Sequence, residues 1–328
     1  MSGPAARFFG AVAGLLVFVV VQALAQNYPL KPLRIISPFA PGGGTDIVAR
    51  LIAPKLTQAL GQPVIVDNRP GAGGSLGIEL ALRAPADGYT FALISAGYCV
   101  NPSFYKLRFD PLDDIAPVIL IAQGPLLIAA HPSVPARTAR DLIVLAKARP
   151  GELNFASSGQ GSTGHMAGEL FAFLSGARMT HVPYKGSGPA LIDAIAGHIS
   201  LNIGGIAASL PYVRSHRLKA IAVTTAQRVA DAADIPTVAE SGLPGYEVTN
   251  WQGLIAPKGL PAAIAERINL AIANALRQSD LIERFESNGL LPAGSTIPQF
   301  QIRIRRELLL WRDVANKAKI GIYGKDAE

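Results

Sequence analysis

The chain has 328 residues, 49% of them hydrophobic and only 16% charged, against about 25% charged in an average soluble domain, which excludes a disordered chain. Thirty Lys and Arg against 23 Asp and Glu leave a net charge of +7, but the cations are scattered and no basic run interleaves with aromatics, which argues against nucleic acid. One cysteine, Cys99, excludes an internal disulfide and a cysteine-rich metal site, and the length predicts two domains.

The N-terminus carries Arg7, an unbroken apolar run of 14 residues from Phe8 to Val21, and then Ala23-Leu24-Ala25. A run that short does not cross about 20 residues' worth of bilayer, and the small residues mark a signal-peptidase site. Residues 1–25 are therefore expected to be a signal peptide cleaved after Ala25, which makes the mature chain periplasmic. No later apolar stretch is long enough to span a membrane. Ile115 to Ala130, broken by Pro117, Gln123, Gly124 and Pro125, predicts two buried strands.

Beyond the leader, short β-branched runs alternate with helical spacing, the pattern of an α/β chain with mostly parallel strands. Leu33 to Pro38 predicts a strand, and Asp46 to Leu60 a helix that Pro54 should kink or shorten. Val64 to Val66 is the next strand, Gly71 to Arg83 a glycine turn into a helix, and Tyr89 to Ser95 a buried strand. Farther on, Pro261 opens a helix with Ile264, Ile268, Ile272 and Leu276 on one face, and Ser279 caps a shorter one closed by Gly289. Phe300, Ile304, Leu308, Trp311, Ala315 and Ala318 recur at helical spacing and predict a core-packed helix with Arg303, Arg305 and Arg306 on a solvated basic face.

Three places share one design, in which a strand leads through a glycine- or hydroxyl-rich loop into a helix. They are Ser37 to Asp46, where Thr45 is expected to cap the helix, Ser157 to His165, where the Ser162 hydroxyl can cap the helix or meet a ligand, and Tyr184 to Gly188 with Pro189 at the first helical position. Free N–H groups and the positive end of the helix dipole suit each mouth to an anion. Three in one chain fit two lobes presenting helix ends to a shared cleft. His165 suits either a ligand donor or a first-turn helix residue, and Cys99 suits a core position.

Enzyme chemistry is poorly supported by the same residues. Gly73-Gly74-Ser75-Leu76-Gly77 matches G-x-S-x-G and keeps an extracytoplasmic hydrolase using Ser75 as the alternative. Six residues, Asp67 to Ala72, separate it from the preceding strand, whereas a nucleophile elbow needs a sharp strand-to-helix turn. No nucleotide P-loop and no G-x-G-x-x-G supports a cofactor, and the five histidines show no metal-ligand spacing.

The chain resembles the Bug family, the extracytoplasmic solute receptors of tripartite tricarboxylate transporters, across essentially all of its mature length. The resemblance rests on Tyr28 to Arg34, PFAPGGGTD (Pro38 to Asp46), GQPVIVDNRPGAGG (Gly61 to Gly74), ADGYT (Ala86 to Thr90) and NPSFYKL (Asn101 to Leu107). It continues through GELNFASSGQGSTGH (Gly151 to His165), HVPYKGSGPAL (His181 to Leu191), PTVAESGLPGYEV (Pro236 to Val248) and WQGLIAPKGLP (Trp251 to Pro261). It implies a type II periplasmic binding-protein fold: lobe 1 from residues 26–123 and 246–328, lobe 2 from 124–245, and a cleft that closes on a small carboxylate. It also implies a non-catalytic monomer without cofactor or metal, delivering its solute to membrane permease subunits or to a sensor kinase.

The mouths and the resemblance together nominate Phe39, Ala40, Pro41, Gly42, Gly43, Gly44, Thr45, Asp46 and Ser95 as ligand-binding. From the second half they nominate Ser157, Ser158, Gly161, Ser162, Thr163, His165, Tyr184, Gly186 and Gly204. Family members commonly carry Phe-Asp or a similar pair where this chain has Ile203-Gly204-Gly205, so the solute cannot be copied from them.

Overall fold

The computed structural model describes residues 28–318 and residue 321; the expected signal peptide lies outside the described residues. The chain begins β1 (Leu33–Ser37), α1 (Gly44–Leu60), β2 (Val64–Asn68), α2 (Ser75–Leu82), β3 (Thr90–Ser95) and the single turn α3 (Gly97–Val100). The long β4 (Ile115–Ala130) leads to α4 (Ala139–Ala148), β5 (Asn154–Ser157), α5 (Thr163–Ser175), β6 (Thr180–Pro183), α6 (Ser187–Ile195), β7 (Leu201–Gly205), α7 (Ile206–Arg214) and β8 (Lys219–Val223). It then returns through β9 (Thr249–Pro257) and ends with α8 (Ala262–Ala275), α9 (Ser279–Glu286), β10 (Leu291–Pro292) and α10 (Ile297–Ala318).

Strands follow the order β2-β1-β3-β9-β4-β7-β5-β6, with β8 and β10 also paired to β4. Two parallel blocks, β2-β1-β3 and β7-β5-β6, are joined through antiparallel β9 and β4. β4 pairs with β9 as far as Pro125 and, from Leu126, with β7 on one side; from Leu127 it pairs with β8 on the other. The chain passes back at Val248, whose N–H donates to Thr224 O at 2.8 Å, one residue before β9 begins. In the first block Ile35, Phe91, Leu93, Val48, Ile52 and Leu56 pack with Ile268 and Ile272. In the second Phe155, Phe171, Leu201 and Ile203 lie in a buried cluster that also holds Trp251 and Phe300.

Several local expectations need correction. Ile115 to Ala130 is one strand, because Pro117 coincides with a register shift and Pro125 stands where β4 changes partners; neither position has to supply a ladder N–H. Pro54 does not shorten α1: it is exposed, so the hydrogen bond it removes falls on the solvent face, while the hydroxyl of Thr57 donates to Ala53 O at 2.9 Å. Thr45 does not cap α1; Gly43 holds the cap position without a side-chain bond and Thr45 lies inside the first turn. Pro189 is the third residue of α6, Pro261 is the residue before α8, and Ser279 is the first residue of α9, not its cap. The basic face of α10 loses Arg303, which is half-buried, donates to Glu307 at 3.0 Å and lies 5.7 Å from the Trp251 ring.

Candidate functional site

In each parallel block the chain leaves the carboxyl end of a strand and enters a helix, so β1 to α1, β5 to α5, β6 to α6 and β7 to α7 all aim helix N-termini at the space between the blocks. A cavity of about 30 Å³ lies there. Phe39, Gly43, Gly44, Thr45 and Ser95 line it from the first block, Ser158, Thr163, Gly164, Ser187, Ile203, Gly204 and Gly205 from the second, and Leu126 and Asn250 from the crossing strands. Grooves of about 400 to 590 Å³ exist elsewhere, but they are open surface concavities without this convergence.

The first N–H groups of a helix have no partner within it. α1, α6 and α7 start at Gly43, Gly186 and Gly205 with no side-chain cap. α5 is capped as expected, since His165 N–H donates to Ser162 Oγ at 3.2 Å, which leaves the N–H groups of Thr163 and Gly164 without an intrahelical partner. Thr45, Ser95 and Ser187 are buried, and their hydroxyls have no hydrogen-bond partner among the described residues. No Lys, Arg, Asp or Glu lines the cavity. The site is a neutral, donor-rich pocket in which four positive helix ends meet, which stabilises negative charge.

Of the nominated residues, Phe39, Gly43, Gly44, Thr45, Ser95, Ser158, Thr163 and Gly204 line the cavity. The others lie in the same loops but do not line it. Burial alone would raise the Asp46 pKa, but hydrogen bonds from Arg50, the Gly42 N–H and Asn68 outweigh it and hold the carboxyl below its usual range. Asp46 thus stays ionised and clamps the loop through Pro41 and Gly42. Ala40 N–H donates to Lys185 O at 3.0 Å, across the gap between the blocks. Gly186 permits that approach: its φ is +150° and a Cβ there would stand 2.8 Å from Ala40 N.

Behind the second mouth, the Ser157 hydroxyl bonds His181 Nε2 at 2.7 Å, donates to Gly159 O at 3.0 Å and accepts from Ser162 Oγ at 3.3 Å. His165 stacks on His181 with centroids 3.9 Å apart and accepts from Gly161 N–H at 3.1 Å. Burial, and then the neighbouring His165, push the His181 pKa down to about 3, so His181 is neutral. His165 is thus placed in the wall as a first-turn residue. Tyr184 OH donates to Asp193 at 2.5 Å; burial and then that carboxylate push its pKa up to about 12.

Sequence reasoning missed Leu126, Gly164, Ser187, Ile203, Gly205 and Asn250. A signal existed for three of them, since Gly164 and Ser187 lie in the second and third loops and Gly204-Gly205 is itself a glycine pair before a helix. Asn250 accepts from Thr163 Oγ1 at 3.3 Å and, like Leu126, enters only through the strand crossings.

The hydrolase alternative fails on geometry. Ser75 opens α2, and its hydroxyl is buried without any partner among the described residues, so none of them activates it as a base. Burial likewise pushes the Cys99 thiol well up. Among the described residues no group of His, Cys, Asp and Glu could hold a metal.

The sequence matches the tripartite tricarboxylate transporter family receptor over residues 48–317. Protein BugT of Bordetella pertussis is 36% identical over 305 residues, covering 91% of this chain and 93% of that protein. Among solved structures, Rpa4515 of R. palustris with adipate is 37% identical at TM-score 0.87, covering 90% of this chain and 99% of that one. The periplasmic binding protein BugD is 31% identical at TM-score 0.86, with 90% and 99% covered. MatC of Rhodopseudomonas palustris with bound malate is 32% identical at TM-score 0.83, with 88% and 99% covered. With uncapped helix ends meeting in a cleft between two strand blocks, the chain belongs to the tripartite tricarboxylate transporter receptor family, a solute-binding receptor on the two-lobed periplasmic binding-protein fold.

Proposed function

We propose that this receptor binds a small dicarboxylate between its lobes, with the nominated loops as its binding loops. The observation that carries the reading is the convergence of uncapped helix N-termini on a cavity lined by no charged side chain. The termini fall into two groups. α1 meets α6 and α7, since a Cβ at Gly43 would lie 3.4 Å from Ser187 Cβ and one at Gly44 3.8 Å from Gly205 Cα. α5 instead faces α3, since a Cβ at Gly97 would lie 3.1 Å from Thr163 N. One carboxylate at each group, with Phe39, Leu126 and Ile203 along the apolar middle, suits an acid with two charged ends. The adipate and malate bound by the two R. palustris neighbours are ligands of that kind.

At about 30 Å³ the cavity is on the scale of a water molecule. A dicarboxylate enters only when the lobes part, and we take residues 26–123 with 246–328 and residues 124–245 as those lobes, hinged where β4 and β9 cross. The receptor acts in the periplasm as a monomer after cleavage at Ala25 and hands its solute to the transporter's membrane permease.

The test is a thermal-shift screen of mono-, di- and tricarboxylates, amino acids and sugars on protein exported by its own leader, whose mass should place the N-terminus at Gln26. One dicarboxylate at a hundredfold excess over Kd should stabilise the fold by about 2.7 kcal/mol. Stabilisation by an amino acid or sugar and by no dicarboxylate would refute the reading of the cleft, and an intact Met1 form would refute the leader.

A further inference from the structure

Gly204 is the penultimate residue of β7 and lines the cavity, at the position just before the cap of α7. Its φ lies outside the left-handed region, so the backbone there does not demand glycine. What the missing side chain leaves open faces two polar groups: a Cβ at 204 would lie 3.0 Å from Asn202 Nδ2 and 3.7 Å from Ser187 Oγ.

Neither group is fully satisfied. Ser187 is buried at 8% exposure, lines the cavity, and its hydroxyl has no partner among the described residues. Asn202 is 0% exposed; its amide donates only over a long 3.3 Å to Ser209 Oγ, and its Oδ1 has no partner among the described residues. Buried polar groups are nearly always hydrogen-bonded, and the Asn202 atom that faces the 204 corner is its amide nitrogen, so the corner presents a weakly used donor beside the unpartnered Ser187 hydroxyl.

We propose that this corner is a subsite for a hydroxyl group on the ligand, so that the receptor selects hydroxylated dicarboxylates over their deoxy analogues, with Ser187 and Asn202 as the specificity-determining residues. The inference rests on the dicarboxylate reading above and adds the substituent. A hydroxyl both donates and accepts. As an acceptor it takes a bond from the Asn202 amide N–H that faces the corner, and its own O–H donates to Ser187 Oγ. A methylene leaves both groups unpaired, and an ammonium offers the amide no acceptor. Sites built to bond a ligand hydroxyl discriminate strongly against the analogue lacking it, because their own buried polar groups are then left without partners. Glycine at 204 supplies the room.

Matched pairs test this by titration calorimetry on the mature chain: malate against succinate, both enantiomers, and tartrate against malate. The hydroxylated member should bind at least about tenfold more tightly to the unmodified protein, equal to one well-made hydrogen bond. Ser187→Ala, and separately Gly204→Ala, should shrink that ratio at least about fivefold. Because Ser187→Ala only trims a hydroxyl in a first helical turn, a folding defect is not expected, and a melting curve of each variant checks it. Equal affinities within every pair overturn the hydroxyl subsite while leaving the dicarboxylate reading intact, and a ratio unmoved by both variants overturns its placement at Gly204. Binding of no dicarboxylate of either kind overturns both readings.

Discussion

At the scale of single residues, charge is managed by keeping it out of the cleft. Asp46 spends its carboxylate on Gly42, Asn68 and Arg50, and Lys185, the cation carried by the three loops, is exposed and contributes its carbonyl to the Ala40 contact. Recognition by backbone dipoles is therefore separable from recognition by an ion pair. Gly44 is the first residue of α1 and follows an extended Gly43 at φ −86° and ψ 166°, a setting that accepts proline. Gly44→Pro should preserve α1 yet delete one N–H facing the cavity. A lost hydrogen bond to a charged ligand is worth roughly 1.5–3 kcal/mol, so affinity should fall about ten- to over a hundredfold. Lys185→Met should change it less than about twofold. Calorimetry returning the reverse pattern would make recognition ionic.

At the scale of elements, two prolines stand inside regular elements without ending them. The bond that Pro54 removes from α1 falls on the solvent face, and Pro125 stands where β4 changes partners. α10 shows the complementary case of a buried charge. Glu307 accepts from Trp251 Nε1 at 2.7 Å and from Arg303 at 3.0 Å, yet burial outweighs these bonds and raises its pKa above the usual 4.5. The folded state then holds that proton more tightly than the unfolded chain does. The stability contributed by Glu307 is full below about pH 4.5 and declines as pH rises through the raised value. Glu307→Gln keeps an acceptor for Trp251 and removes the titration, so its melting temperature should fall less between about pH 4.5 and 7 than that of the unmodified protein. Parallel slopes in the two melting series would show that Glu307 does not titrate in that range.

At the scale of the whole molecule, several hydrogen bonds bridge the two halves taken above as lobes. Besides the Ala40 to Lys185 contact, Tyr105 OH donates to Gln160 O at 2.8 Å, Thr163 Oγ1 to Asn250 Oδ1 at 3.3 Å and Tyr246 OH to Ala167 O at 2.9 Å, and opening the cleft has to break those at its rim. Solution scattering should show a smaller radius of gyration with saturating ligand than without. Tyr105→Phe, removing about 1 kcal/mol of bonding from the closed form, should weaken binding roughly fivefold, mainly through faster release. A radius insensitive to ligand would rule out hinge closure about β4 and β9.

The sequence by itself determined the α/β alternation, the strand-loop-helix mouths and the Ser162 cap, because these arise from hydrophobic periodicity and local backbone preference over a few residues. It also carried the family resemblance. What it left open follows from distance along the chain. Thr45 was expected to cap α1, but nothing local shows that Gly43 would leave those N–H groups uncapped. Asp46, Ser157 and His165 sit in the right loops, yet their side chains turn into the walls because Asn68, His181 and Gly161 arrive with bonds that compete for them. Gly204-Gly205 and Ser187 become parts of one cavity only when α6 and α7 are laid against α1. Tertiary structure alone decided which helix ends meet, and in that meeting lies the site, since dipoles and unpaired donors act over a few ångströms whereas sequence spacing is silent about which distant segments share that space.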